Sequence, residues 1–213
     1  MTLMPWRSAS IPLVAAMLSI AAPTCLPSDL TEPPTAQNHS ESRWLTATAR
    51  YTIPAVQLVR DDGKRVTLPE EMDDGRPVVL NFIYTSCSSV CPLTSQVFGQ
   101  FAEKLGPDRD TVHLMSISID PEQDTPARLR EYARKFHAGP EWQHYTGTVA
   151  ASLAAQRAFG VYYGDKMSHA PVTLVRIAPG MPWTRIQGLV TPDELLAGYR
   201  QLLGQARDAV ATR

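Results

Sequence analysis

Residues 78–92 read VVLNFIYTSCSSVCP: an apolar run that breaks into a polar, cysteine-bearing loop and then meets a proline. A continuous β-rich run without polar alternation predicts a strand covered on both faces. Beyond Pro92 the period changes. Val97, Phe98, Phe101 and Leu105 recur at helical spacing, so a helix follows the loop. In layered α/β domains the carboxyl ends of such strands are where sites are built. Cys87 and Cys91 stand at that point.

Two thiols at a helix start have a lowered pKa, because exposed backbone N–H groups and the helix dipole favour the thiolate. A helical turn takes about 3.6 residues, so positions four apart project from the same face. Two such thiolates can chelate one soft ion, and sulfur ligands select Cu(I), zinc or iron–sulfur iron. The same pair can close to a disulfide if the first turn is locally distorted. A purely structural role as buried cysteines fits poorly with Ser86, Ser88 and Ser89 around Cys87.

Working outward, residues 56–59 and 65–68 flank Asp61-Asp62-Gly63, a turn signal that predicts a hairpin. Residues 112–119 predict a second buried strand. Asp124-Thr125-Pro126 opens a helix, with Thr125 as cap and Pro126 at the first helical position. Residues 149–159 predict a third helix. Residues 172–177 and 185–187 read as strands joined across 178–183. Thr191-Pro192-Asp193-Glu194 opens a last helix through residue 203. The order hairpin, β, α, β, α, α, β, β, α predicts an α/β domain over residues 51–213. It has a central mixed β-sheet flanked by helices and an N-terminal β-hairpin, a thioredoxin-like arrangement.

The chain has 213 residues with 20 Lys+Arg against 21 Asp+Glu, which suits one domain plus terminal sequence and offers no basic surface for nucleic acid. Three cysteines are too few for a disulfide framework. At the N-terminus Arg7 precedes an apolar stretch, 8–22, followed by PTCLPS. Residues 1–26 therefore predict a signal peptide or a membrane or lipid anchor, with Cys25 the candidate for lipidation. Residues 27–50 are polar and proline-bearing, and read as a flexible linker. The expected location is the periplasmic side of a bacterial cell envelope, tethered to the inner membrane.

Two thiolates leave Cu(I) in want of a third donor, and imidazole is suitable. Of five histidines, His39 falls in the linker, His113 inside an apolar strand, His137 at a helix end, and His144 in a loop beside aromatics. His169 precedes a predicted central strand in MSHAPVTLVRI, on the part of the sheet that faces the cysteine loop. A satisfied structural role and a ligand role both remain open for it at this point. Pro171 opens that strand, and a cis Ala170–Pro171 bond is expected by analogy with thioredoxin-like proteins.

FIYTSCSSVCPLTS, SISIDPEQDTP, HYTGT before a helix ending FGVYY, and SHAPVTLVRIAPG together resemble the SCO/SenC family, from about residue 55 to 203. The resemblance implies a membrane-tethered copper metallochaperone of thioredoxin-like fold that assists copper-centre assembly in cytochrome c oxidase. Its implied cofactor is copper, as Cu(I) or Cu(II). Its implied partner is the copper-bearing oxidase subunit, together with other copper chaperones or thiol–disulfide reductants. Cys87 and Cys91 match the two family cysteines, and His169 matches the histidine that completes the metal site. Two residues depart from the pattern: Ser168 stands where many members have Asp, and Pro171 where an apolar residue is usual. The alternative function is a thiol–disulfide oxidoreductase that uses the redox-active pair Cys87 and Cys91. A thiol peroxidase is a third class, which needs an activating group such as Thr85 near Cys87.

Overall fold

In the computed structural model, which describes residues 44–211, eight strands build a single sheet: β1 Trp44–Ala49, β2 Gln57–Arg60, β3 Arg65–Thr67, β4 Val78–Ile83, β5 His113–Ser118, β6 Trp142–Gly147, β7 Val172–Arg176 and β8 Trp183–Gly188. Their order is β1-β8-β7-β4-β5-β6-β2-β3. β4, β5 and β6 are parallel neighbours, whereas β7, β8, β1, β2 and β3 join antiparallel. The sheet is thus mixed and central, as expected. Five helices accompany it: α1 Leu68–Met72, α2 Val90–Leu105, α3 Pro126–Lys135, α4 Val149–Ala158 and α5 Pro192–Ala211.

The period of two in the strands sorts side chains between two cores. Leu80 and Phe82 of β4 join Met115, Ile117, Leu174 and Phe159 on one face. Val79 joins Leu114, Val175 and the α2 and α5 residues Phe98, Phe101, Leu195 and Tyr199 on the other. Every residue of β4 and β5 is buried, which is what an uninterrupted apolar run requires. Each large side chain so buried contributes about 1.5–3 kcal/mol. The caps follow the sequence too. The Thr125 hydroxyl accepts from Arg128 N–H at 3.3 Å. Thr191 and Glu194 form a reciprocal capping box, with bonds of 2.7 and 3.2 Å.

Four expectations change. Trp44–Ala49, assigned to the linker, is an edge strand in register with β8 from Trp44↔Gly188 to Ala49↔Trp183. Its alternating Thr and Ala resemble linker composition, and only the pairing identifies it. β6 was not expected. Its Gln143, His144 and Thr146 hide the strand by composition, yet His144 and Thr146 are buried in the sheet rather than in a loop. α5 runs to Ala211, eight residues past the expected end. The Ala170–Pro171 bond is trans, with no cis peptide among the described residues. Trans is the intrinsic preference of X–Pro bonds, and the Pro171 carbonyl already accepts from Gly188 N–H at 2.9 Å as the strand begins. Residues 1–43, with the expected signal or anchor and Cys25, lie outside the described residues. Among the described residues no helix is long and apolar enough to cross a membrane.

Candidate metal centre

β4 ends at Ile83 and α2 begins at Val90, so the intervening loop carries Cys87 while Cys91 already lies in the first helical turn. Pro92 follows in that same turn, where its missing N–H deprives no intrahelical bond. The Ser89 side chain at the cap position makes no capping bond. Cys87 Sγ takes that role instead, accepting from Cys91 N–H at 3.5 Å. The two thiols are therefore joined by a sulfur-capped helix start, not by a shared helical face.

This geometry makes the thiols unequal. Burial opposes ionisation of Cys87, but the backbone N–H groups of Cys91 and Ser89 outweigh it and lower the pKa to about 7. Burial pushes Cys91 well above the usual thiol range, and the Cys87 and Asp124 charges push the same way. Both cysteines are free thiols. They sit in a small apolar cluster with Ile83, Tyr84, Leu129 and Tyr132, between α2 and α3. Burial alone fits a structural role, but a thiol held half-ionised near neutral pH does not.

Asp124 supports the loop from below. Its fully buried carboxylate accepts from Thr85 N–H at 3.2 Å, from the Thr85 hydroxyl at 2.5 Å and from the Ser118 hydroxyl at 2.6 Å. The sequence presents Asp124 as part of a helix start, and its role under the cysteine loop depends on the β4–β5 pairing. The Thr85 hydroxyl is thereby committed to Asp124 rather than offered to a substrate of Cys87.

His169 lies just before β7, which pairs with β4. Its Nε2 bonds the Phe82 carbonyl at 3.0 Å. A carbonyl only accepts, so Nε2 carries the proton and Nδ1 holds a free lone pair. Nδ1 is buried and without a hydrogen-bond partner. Burial lowers the imidazole pKa, against the Phe82 bond, so the ring is neutral and fit to ligate. The ring lines a cleft of about 380 Å³ with Ile119, Asp120, Tyr162 and Lys166. The remaining described histidines are placed differently. His113 Nε2 bonds the Tyr145 hydroxyl at 2.9 Å. His144 is fully buried against Trp142 and Tyr132, and burial lowers its pKa to about 3. His137 lies two residues past α3 with φ 56°.

Among the described residues no three His, Cys, Asp or Glu side chains lie close enough together to hold a metal. The thiols are assembled; the imidazole is presented from the neighbouring segment. The donor chemistry fits a soft ion: a thiolate, a second thiol and a partnerless neutral nitrogen.

A family profile described as SCO1/SenC matches residues 46–203. The chain belongs to the SCO1/SenC family. The Arabidopsis thaliana protein named "Protein SCO1 homolog 1, mitochondrial" is 30% identical over 142 residues, covering 62% of this chain and 40% of that protein. The chain thus spans about half or less of the first curated relatives it matches. A Stutzerimonas stutzeri protein named for copper binding is 33% identical over 148 residues, 69% of this chain and 68% of that one. The crystal structure of Arabidopsis thaliana ScoI with copper bound superposes with a TM-score of 0.61 at 28% identity, covering 72% of this chain and 99% of that chain. The SCO1/SenC domain here has the family's thioredoxin-like fold.

Proposed function

We propose that this SCO1/SenC protein is a copper metallochaperone that holds one ion through Cys87, Cys91 and His169 and passes it by ligand exchange to the copper-bearing subunit of cytochrome c oxidase. The observation that carries the reading is the pairing of a thiolate-capped helix start with a half-buried imidazole whose Nδ1 is buried and has no partner. Relatives that bind copper support the choice of ion. Family membership supports the oxidase as recipient, and the N-terminal signal-like stretch supports action at the periplasmic face of a bacterial inner membrane. The segment bearing His169 closes toward the thiols as the ion binds. Cys91 gives up its proton at that step, while His169 Nδ1 has none to lose.

The test is to mix the copper-loaded full chain with the metal-free copper domain of an oxidase subunit, separate the two and measure copper in each. The reading expects copper to follow the oxidase domain. Copper that stays on this chain contradicts the chaperone role.

The inequality of the thiols favours a second reading, reduction of a partner's disulfide. Cys87 thiolate attacks one partner sulfur and the other leaves as thiolate. Deprotonated Cys91 then attacks Cys87 Sγ, releasing the second partner thiol and leaving a Cys87–Cys91 disulfide, two electrons having passed to the partner. Cys91→Ser should then trap a mixed disulfide through Cys87, and its absence counts against this role.

A further inference from the structure

Tyr84 links the two cysteines to a third sulfur-bearing residue. It packs in one cluster with Cys87 and Cys91, its carbonyl accepts from Cys87 N–H at 3.1 Å, and its hydroxyl donates to Met167 Sδ at 3.8 Å. Met167 is 73% exposed, the most exposed large apolar side chain among the described residues, so burial does not account for it. It sits on the one-turn segment Lys166–Ser168, immediately before His169. Asp165 caps that segment through Met167 N–H at 2.9 Å, and Lys166 ties it to Asp120 at 2.6 Å. The thioether is thus held against Tyr84, a neighbour of both cysteines, on the segment that leads into His169.

A thioether is a soft, uncharged donor that suits Cu(I) and does not hold a proton. We propose that Met167 is a third sulfur ligand, which captures incoming Cu(I) together with Cys87 and Cys91 before His169 Nδ1 replaces it. The inference rests on the copper reading above and adds an entry step to it. The ion stays Cu(I) throughout. Bonds to the delivering ligand break as bonds to Cys87, Cys91 and Met167 form, and the Cys91 proton, with the fraction still on Cys87, passes to solvent. The Met167 bond then breaks as the bond to His169 Nδ1 forms, with no further proton moved. The order follows from the structure: the thioether is exposed and already bonded to Tyr84, whereas the half-buried imidazole is bonded to Phe82 and its Nδ1 is shielded from solvent.

The test uses the reduced full chain under anaerobic conditions, with Cu(I) supplied as its bicinchoninate complex. Stopped-flow absorbance follows capture, and X-ray absorption counts copper–sulfur contacts. Met167→Leu, which keeps the shape, should slow capture about tenfold while the final affinity changes little, and Met181→Leu should capture at the wild-type rate. His169→Ala should show three copper–sulfur contacts, falling to two when Met167→Leu is added. Wild-type capture by Met167→Leu, or two contacts in His169→Ala, overturns the proposal; the first result leaves Met167 as a protein-docking residue at most. Failure of the wild-type chain to bind Cu(I) is a different outcome, and overturns the copper reading itself.

Discussion

His169 Nε2 donates to the Phe82 carbonyl across 3.0 Å, and this bond fixes which ring nitrogen is left to act. Burial lowers the imidazole pKa against that bond, so the ring stays neutral through the physiological range. Nitrogen-15 NMR of the metal-free protein should show the Nε2–H tautomer, with protonation only below the ordinary histidine range. A Nδ1–H tautomer contradicts the assignment.

Cys87 should react far faster than Cys91 with iodoacetamide, on a pH profile centred near 7. Peptide mass spectrometry reads both rates at once. The linkage has two signs. Cys87 is ionised in the fold above pH 7 and in the unfolded chain only above its ordinary 9.0, so reduced-state stability rises between those values and is lost as pH falls through 7. Cys91 keeps its proton in the fold when the unfolded chain has lost it, so stability declines again above 9.0. Urea unfolding of the reduced protein across this range should therefore peak near pH 9.

Copper loading at pH 7 should release about 1.5 protons: one from Cys91, about half from Cys87 and none from His169. Calorimetry in two buffers of different ionisation enthalpy measures the number. A value near three contradicts the assigned protonation states.

The Thr85 and Ser118 donors gathered on Asp124 make this carboxylate the support of the cysteine loop. Asp124→Ala should cost about 2–4 kcal/mol in urea unfolding, since it strands buried donors. Asp124→Asn removes the charge that helps hold Cys91 protonated, and should increase Cys91 alkylation relative to wild type.

Much of the centre was legible in the residues. The run at 78–84 identified the buried strand, and the change of period after Pro92 identified the helix and so placed Cys87 and Cys91. Thr125 and Thr191 announced their helices by local chemistry that needs no tertiary context. β1 and β6 were missed because edge pairing and aromatic burial, rather than apolar patterning, make them strands. Tyr84, Asp124 and Met167 were missed for a related reason. Each acts across the sheet on a residue tens of positions away, and no local spacing encodes that contact.

Gly99 separates stability from site chemistry. A Cβ there would lie 2.7 Å from the Phe136 carbonyl oxygen, a backbone atom that yields little. Gly99→Ala should lower stability by about 1–3 kcal/mol from overpacking, partly offset by alanine's better helix propensity, which is about 1 kcal/mol. Cys87 alkylation at pH 7 should stay at the wild-type rate.

The central claim is that three side chains hold one ion. Its most direct test is anaerobic Cu(I) titration of the reduced full chain as wild type, Cys87→Ser, Cys91→Ser and His169→Ala, against a competing chelator. The account predicts one tightly held copper per wild-type chain, a loss of tight binding in both cysteine variants, and affinity at least about tenfold weaker in His169→Ala. Wild-type affinity in His169→Ala contradicts it.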